Sequence, residues 1–363
     1  VSGLSLSRPS SAISSGVYVR GVGTAGTSPA AQSVGVMVDG VYLLRSGNAF
    51  NELMDLQRVE ILRGPQGTLF GKNTTAGIIN LVTADPEIDI FTGRIQGVVG
   101  NLDNREARGM INIPVVDGKL ALRITGFNAE RDGYTESANR FTGESQDTRN
   151  VDRYGYRAKM LWDATDNFQV KVSAESIENT MSMDQANVTT GQGVGDYLQS
   201  NGYVSEDIDR YVLNLKWDVA NHTLSTISSR EESVTFLYND FDESDFVDFW
   251  LSNESDSETA THEVQVASDF DGPLSYIFGY FFQNEKLAST TIINGAPRPV
   301  TLRDIDSQAV FGTVSYVFDD QWGASIGARY TEDEFEGTNI FAPTGEIEIF
   351  DEWTYSAKIT YQM

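Results

Sequence analysis

The chain has 363 residues, a formal net charge of −26, no cysteine and only two histidines, His222 and His262. This acidic balance argues against nucleic-acid binding, because that function needs a basic face to neutralise phosphates. Without cysteine there are no disulfides and no thiolate metal sites, and so few histidines argue against transition-metal catalysis. The composition therefore argues against transition-metal catalysis and against a nucleic-acid partner, and we predict no cofactor and no assigned metal ligands.

Membrane crossing by a helix is also excluded, because no run of about 18 apolar residues occurs. The mean hydropathy is below zero. Transmembrane strands are still possible, since they alternate apolar and polar residues and keep the average low. The chain starts at Val1 and shows no signal peptide, so we interpret its start as a cut.

Glycine is concentrated in "LRGPQGTLFGKNTTAGIINLVT", from Leu62 to Thr83. A phosphate-binding loop is excluded here, because Gln66 occupies the position of its first glycine. The segments "RVEIL" (Arg58 to Leu62) and "AGIINLV" (Ala76 to Val82) are rich in β-branched residues and predict two strands joined by a compact turn. Glycine permits positive φ in such a turn. We expect Gly67 to take that conformation, and Val at this position to damage the domain.

The remainder of the chain alternates between apolar and polar residues with a period of two, which is typical of strands. Two clear examples are "FQVKVSAE" (Phe168 to Glu175) and "YVLNLKWDV" (Tyr211 to Val219). Twelve such strands are predicted, from Phe91–Gly100 to Trp353–Gln362. The alternation is weakest in Thr223–Glu231.

Tight turns and long polar loops alternate along this region. The tight turns are Val115–Lys119, Asp163–Asn167, Asp218–His222, Asp269–Pro273 and Phe318–Trp322. The long loops are Arg131–Asn150, Glu178–Asp209, Asn239–Ser255, Ala288–Asp304 and Glu332–Asp351. A soluble β-sandwich has no reason to keep this order, whereas a transmembrane antiparallel β-barrel has short turns at one end and long loops at the other.

Aromatic residues cluster beside the short turns, where a barrel carries an interfacial girdle. They are Trp162, Phe168, Trp217, Phe318 and Trp322. The apolar strand faces, with residues such as Leu213 and Ile326, are therefore predicted to contact lipid. If the N-terminal region is periplasmic, the first strand runs outward and every long loop is extracellular.

A glycine-rich domain ahead of such a barrel resembles the TonB-dependent outer-membrane receptors. The likeness rests on "LQRVEILRGPQGTLFGKNTTAGIINLVT" (Leu56 to Thr83), "YVRGVGT" (Tyr18 to Thr24) and "VGVMVDGVYL" (Val34 to Leu43). It implies a small α+β plug domain at residues 1–87 and a transmembrane β-barrel at residues 88–363. Barrels of about 22 strands can hold a plug. The twelve strands here therefore suggest a truncated barrel, without the first part of the plug and without the last strands.

The resemblance assigns structural or gating roles to the plug signature. These residues are Arg20, Gly21, Asp39, Gly40, Arg58, Glu60, Arg63, Gly64, Pro65, Gly67, Gly71, Gly77 and Asn80. Among them, Arg58, Glu60 and Arg63 are our candidates for ion pairs that lock the plug to the barrel, and the alternative for each is a solvated charge. Asp39 and Gly40 predict a turn in which Asp39 caps its own backbone.

Ligand contacts are expected at the outward tips of the plug and in the loops. Tyr42 and Arg45 are the plug candidates, and Phe241, Phe246 and Trp250 are candidates in the acidic, aromatic loop Tyr238–Trp250. That loop could stack on a sugar or aryl ligand or hold calcium, or it could be an ordinary solvated face.

The resemblance implies energy-dependent uptake across the outer membrane of a Gram-negative bacterium. The expected partners are the TonB–ExbB–ExbD complex, whose docking segment does not precede Val1, together with outer-membrane lipid, lipopolysaccharide and a small-molecule ligand. A ferric siderophore or another iron complex is the favoured ligand, and a carbohydrate or an aromatic organic ligand is the alternative. A passive porin or adhesin is the rival of another class. Enzymatic activity is not predicted, because neither histidine has a partner at a recognised spacing.

Overall fold

The computed structural model describes residues 3–7, 16–24, 33–43, 53–64, 66–71, 74–138, 145–182, 202–240, 250–338 and 345–361. These residues form two small sheets near the N-terminus, one large antiparallel sheet and a separate two-stranded hairpin. No helix among them has the length and apolarity needed to cross a membrane.

The N-terminal region, which we call the plug, contains seven strands and one helical turn. Its strands are β1 (Leu4–Ser7), β2 (Gly16–Val19), β3 (Val22–Thr24), β4 (Val34–Val38), β5 (Val41–Leu43), β6 (Leu56–Arg63) and β7 (Gly77–Thr83), with α1 at Gly67–Phe70. The order is β1-β2-β3 in one sheet and β5-β4-β7-β6 in the other. Strands β4 and β7 run parallel, and their buried valine and isoleucine side chains form the plug core.

Strands β6 and β7 pair antiparallel, as the sequence predicts, but no compact turn joins them. Residues 64–76 form a longer connection that contains α1. Gly67 begins this helical turn and is not among the glycines with positive φ, so our expectation for Gly67 was wrong. The positive φ values in this connection belong to Gly64 and Gly71, and β7 opens with a third at Gly77. These residues end a strand, end the helical turn and begin a strand, where the chain must change direction.

The large sheet, which we call the wall, confirms the twelve predicted strands. They are β8 (Thr92–Val99), β9 (Arg105–Val116), β10 (Leu120–Arg131), β13 (Val151–Thr165), β14 (Phe168–Ser182), β15 (Tyr203–Val219), β16 (His222–Asp240), β17 (Trp250–Ser268), β18 (Leu274–Ile293), β20 (Thr301–Val317), β21 (Trp322–Thr338) and β22 (Glu346–Tyr361). Each pairs with its neighbour in this order. Short pieces lie outside the order: the hairpin β11 (Thr135–Ala138) and β12 (Ser145–Thr148), and β19 (Ala296–Pro297).

The two faces of the wall differ as the alternation predicts. In β15, Tyr211, Leu213 and Trp217 are exposed on the outer face, while Arg210 and Val212 are buried on the inner face. Ile326 is 66% exposed. Outward apolar side chains pack against no second sheet in the described part of the chain, as expected for a surface that contacts lipid. Thr223–Glu231, the weakest prediction, lies inside the continuous strand β16.

The loops predicted as long are shorter than expected, because the strands continue into them. Predicted loop Glu178–Asp209 contains the end of β14 and the start of β15, and residues 294–300 are all that separate β18 from β20. The reason is visible in β15. Near its loop end, Asp207 and Asp209 are exposed while Val204 and Ile208 are buried. Polar residues face outward there, which reverses the pattern that identified the strands.

The link between the two regions is held by the wall. Strand β7 ends at Thr83 and β8 begins at Thr92, and the predicted domain boundary after residue 87 lies between them. The Asn112 side chain on β9 donates to the carbonyls of Glu87 and Ile90 and accepts from the Glu87 amide. A buried asparagine with these bonds positions the chain where it leaves the plug.

Candidate functional site

The plug contacts the inner face of the wall through a few charged side chains. Asp55 has φ of 51° and points its carboxylate at Arg123 of β10. The Arg123 guanidinium donates from Nε at 2.6 Å and from Nη2 at 3.0 Å, which is a bidentate pair. Arg123 is buried and Asp55 is mostly buried. Such a pair combines charge with fixed geometry, so it defines where the plug sits against β10.

Met54, the residue before Asp55, inserts into the wall. Its buried side chain packs with Phe127, Ala129 and Ile177 on the inner face. Its carbonyl accepts a hydrogen bond of 2.8 Å from Nη1 of Arg157. Residues 54 and 55 therefore form one anchor, in which an apolar side chain, a main-chain carbonyl and a carboxylate each have a wall partner.

Asp39 forms a second anchor to the wall. Asp39 and Gly40 make the predicted turn, with φ of 50° and 84°. The carboxylate does not cap its own backbone, so that prediction was wrong. It accepts instead from the amide and hydroxyl of Thr83 at 2.8 and 2.7 Å, and it pairs with Lys159 of β13 at 2.8 Å.

Burial by itself would raise the pKa of Asp39. The positive charge of Lys159 and the hydrogen bonds from Lys159 and Thr83 outweigh the burial and hold the pKa below its ordinary value. The carboxylate is therefore ionised at neutral pH.

Asp85 connects the second anchor to a neighbouring strand. It lies 2.6 Å from Lys171 of β14 and 3.6 Å from Lys159. These charges border a cavity of about 300 Å³ between plug and wall, which Arg58 and Asn80 also line. Water and salt in such a polar crevice screen the half-exposed Asp85–Lys171 pair, whereas the Asp39–Lys159 pair is about as buried as Asp55–Arg123.

Behind the first anchor runs a cross-strand row of buried charges, which we call the inner row. It consists of Arg157, Glu175, Arg210 and Glu231, directly opposite one another on β13 to β16. Arg157 bonds to Glu175, and Arg210 bonds to Glu175 at 2.9 Å and to Glu231 at 2.7 Å. The charges alternate in sign, so each buried group has a partner.

A third contact involves α1 and the far strands of the wall. Thr68 and Ser356 bring their hydroxyl oxygens to 3.2 Å. Arg329 stacks against Phe281 and Phe311, and its Nη2 lies 2.8 Å from the point where a Cβ at Gly71 would be. With a φ of 84° as well, Gly71 can be replaced only with strain.

Two of the predicted lock residues, Arg58 and Glu60, bond to one another within the plug, and Arg58 also lines the cavity beside Lys159. Arg58 bonds to Glu60 at 2.7 Å and to Gln57, all within β6. Asn80 donates to Glu60 and accepts from the Gly40 amide. The Asn80 and Arg58 hydrogen bonds lower the pKa of Glu60. Arg63 ends β6, and a locking role for these three residues stays a prediction.

Among the other signature residues, Arg20 and Gly21 form the turn between β2 and β3, with φ of 54° and 78°. Pro65 lies outside the described residues. So do the ligand candidates Arg45, Phe241 and Phe246. Tyr42 is buried in the plug beside Met37 and Ile78, and a ligand role for it stays a prediction.

Trp250 begins β17, and its ring lies 5.8 Å from Tyr238. Tyr203 and Phe236 also approach one another there, on the outer face of β15 and β16. The aromatic group therefore faces away from the plug, and a ligand role for Trp250 stays a prediction. Within the described ranges, no group of three or more His, Asp or Glu side chains is placed to hold a metal ion.

Sequence reasoning did not identify Met54, Asp55, Arg123 or Lys159 as contacts. A signal for the wall residues was present, because Arg123 and Lys159 occupy the polar face of predicted strands. No comparable signal marks Met54 or Asp55, since their partners lie on distant strands.

Comparison with known proteins agrees with this architecture. A family model described as the TonB-dependent receptor plug domain matches residues 1–78. A second model, described as the TonB-dependent receptor-like beta-barrel, matches residues 179–363.

Individual relatives cover different parts of the chain. The pesticin receptor of Yersinia pestis is 38% identical over 133 residues, which is 36% of this chain and 19% of that protein. The ferrioxamine B receptor of Salmonella typhimurium (strain LT2) is 22% identical over 340 residues, 81% of this chain and 46% of that protein. The crystal structure of the ferric yersiniabactin uptake receptor from Yersinia pestis superimposes with a TM-score of 0.81 at 22% identity, covering 99% of this chain and 57% of that one.

The chain thus spans about half or less of the length of these proteins. Its two matched models nevertheless describe the two parts of one receptor architecture, a plug and a β-barrel. The chain belongs to the TonB-dependent receptor family.

Proposed function

We propose that this chain forms the plug and part of the barrel wall of an outer-membrane receptor for active uptake of a scarce nutrient, a ferric siderophore or another iron complex. Family membership supports the class. Support for the ligand comes from relatives that are named as receptors for ferrioxamine B and ferric yersiniabactin.

The observation that carries the proposal is how the plug is held. Asp55–Arg123, Asp39–Lys159 and Asp85–Lys171 are separate polar contacts between plug and wall. The plug core also touches the wall, at Val212 and Ile227. When the plug moves, the polar groups of these pairs can bind water in place of one another, whereas apolar surface that becomes exposed gains no such partner. The plug is therefore seated firmly yet can be displaced by a pulling partner.

The energy source in this proposal is the TonB–ExbB–ExbD complex in the inner membrane. The short turns then face the periplasm and the long loops face outward. Outer-membrane lipid and lipopolysaccharide cover the exposed apolar side chains of the wall, such as Leu213 and Ile326. Transport by such a receptor involves binding and conformational change without covalent chemistry, in keeping with relatives that are receptors and transporters.

The test uses the full-length receptor in a strain that lacks its other iron receptors. Uptake of ⁵⁵Fe-labelled chelates should require both the receptor and TonB. Growth on a panel of iron sources and glycans then separates an iron complex from the alternative, a carbohydrate or an aromatic organic ligand. Uptake of glycans alone would refute the iron assignment and leave the receptor class intact.

A passive porin or adhesin predicts the opposite behaviour. Liposomes containing full-length protein would leak small solutes with no energy source, and deletion of TonB would leave uptake unchanged. Observing both results would overturn the receptor proposal.

A further inference from the structure

A cluster of two arginines and a tyrosine lies where β10 leaves the wall toward the loops. We call Arg131, Tyr134 and Arg149 the arginine clamp. Arg131 lies on the same face of β10 as Arg123 and Phe127, which contact the plug and its anchor. The clamp therefore stands at the loop end of the inner face.

Tyr134 holds both guanidinium groups against its ring. The Cζ atom of Arg131 is 5.2 Å from the ring centroid, and that of Arg149 is 5.7 Å away. Arg149 donates from Nη1 to the Tyr134 hydroxyl at 3.0 Å, and Arg131 donates from Nη2 to the Arg149 carbonyl at 2.7 Å. Two like charges are thus brought together on one aromatic surface.

The backbone around the clamp is shaped to keep this arrangement. The Tyr134 amide donates to the Thr148 carbonyl at 3.1 Å. A Cβ at Gly133 would lie 2.2 Å from the same carbonyl oxygen, so only glycine allows these two segments of the backbone to approach this closely. Arg149 has φ of 64°, a conformation that non-glycine residues seldom adopt. Main-chain contacts therefore preorganise the clamp.

Arg131 has little compensation for its charge. Its hydrogen bond goes to a neutral carbonyl, and its Nε is buried with no hydrogen-bond partner in the described part of the chain. A half-buried cation with an unused donor is costly unless an anion neutralises it.

We propose that the arginine clamp binds an anionic group of the ligand, a carboxylate or another oxyanion carried by a metal chelate. The planar fork of arginine matches an oxyanion in two parallel hydrogen bonds. The inference rests on the proposed uptake function and names the charge class of the ligand.

The position of the clamp also connects it to the plug. Ala129, two residues before Arg131 on the same face, packs against the wall pocket that receives Met54. Two residues of a strand span about 7 Å. The backbone of Arg131 is therefore only two strand residues from the pocket that anchors the plug.

The experiment measures binding of ⁵⁵Fe-labelled chelates to the full-length receptor in outer-membrane vesicles. The anionic probes are ferric citrate and ferric catecholates, and ferrioxamine B is the cationic probe. The variants are Arg131→Gln, which removes the charge, and Arg131→Lys, which keeps the charge but loses the fork. Arg105→Gln is the matched control, because Arg105 lies at the same end of the wall on an exposed site, paired with Asp103.

For Arg131→Gln we expect binding of the anionic probe to weaken about tenfold to a hundredfold. Arg131→Lys should lose less, Arg105→Gln should match the parent, and raised salt should weaken parental binding most. Lipopolysaccharide added in excess should not displace the chelate. Displacement would assign the clamp to surface lipid phosphates and overturn the proposal.

Unchanged anionic binding in Arg131→Gln would also overturn the proposal, as would a receptor that binds only neutral or cationic chelates. In that last case, TonB-dependent uptake would persist and the proposed function would stand. If no chelate binds and none is taken up, both the clamp proposal and the iron-receptor function fail.

Discussion

Two rows of charge, which are neighbours on β15 and β16, differ in almost every respect. The inner row alternates in sign, is buried and lies behind the plug anchor. On the outer face, six charged residues of β15 to β18, β20 and β21 stand directly opposite one another and form what we call the outer row. On β15 and β16, each member is the sequence neighbour of a residue of the inner row. They are Asp209, Glu232, Glu258, Lys286, Asp304 and Glu336.

The outer row contains five acids and one lysine, and all of its members except Asp209 border an open groove of about 660 Å³. Arg230 partly compensates it by pairing with Glu232 and Glu258, at 2.9 and 3.2 Å. Water and salt screen such exposed charges, so like charges can stand side by side at small cost. In the buried inner row an unpaired charge would cost several kcal/mol. Burial, rather than strand position, therefore determines how strictly charges must be paired.

The largest expected effect comes from breaking the inner row. Arg210→Met would leave Glu175 and Glu231 buried without their common partner, at a cost of about 3–5 kcal/mol in the free energy of unfolding. Urea unfolding of the full-length receptor in lipid vesicles measures it. Arg230→Met, the matched change on the outer face, should cost about 0–1 kcal/mol. Equal losses for the two variants would contradict the conclusion that burial determines how strictly charges must be paired.

A second test uses adjacent residues on opposite faces of β21. Ile326→Arg should cost about 2–4 kcal/mol if its site is near the bilayer midplane, because a cation then enters hydrocarbon. Leu213→Arg should behave alike. The side chain at position 325 faces inward, so Ser325→Arg should be tolerated better. The same vesicle unfolding assay applies, and equal tolerance at residues 325 and 326 would contradict the assigned faces.

Acidification should loosen the second anchor of the plug. The pKa of Asp39 is lowered in the folded state, so its contribution is complete above the unfolded pKa of about 3.9 and is lost as pH falls through the lower folded value. Protease sensitivity of the plug, measured against pH, should rise in that window. Asp39→Asn should remove about 1.5–3 kcal/mol at neutral pH and abolish this pH dependence. If the plug of the unmodified receptor is equally resistant to protease across this pH range, the result would argue against Asp39 as an anchor of the plug.

The smallest effect is expected in the outer row. Glu258→Gln removes one of two adjacent acids, and the relief of repulsion is offset by a weaker pair with Arg230. The free energy of unfolding should change by no more than about 0.5 kcal/mol in either direction. A loss of several kcal/mol would mean that the outer row is buried or paired with another group in the intact receptor.

Most of the wall could be predicted from the sequence, because the alternation of apolar and polar residues is a local property of each strand. Which face of Tyr211–Val219 meets lipid follows from alternate residues alone, and so does the number of strands. The ends of the strands were predicted less well. Toward the loops, polar residues such as Asp207 and Asp209 face outward, so the apolar and polar positions of the strand exchange faces.

By itself, the sequence determined a plug of the TonB-dependent receptor type, twelve antiparallel strands and the outward direction of their apolar side chains. These are properties of motifs and of short-range periodicity. Only the tertiary structure decided that Asp55 meets Arg123, that Asp39 meets Lys159 rather than its own backbone, and that Gly67 begins a helical turn. Such contacts depend on strand register and on how the plug sits against a curved sheet, and neither is recorded in any short stretch of chain.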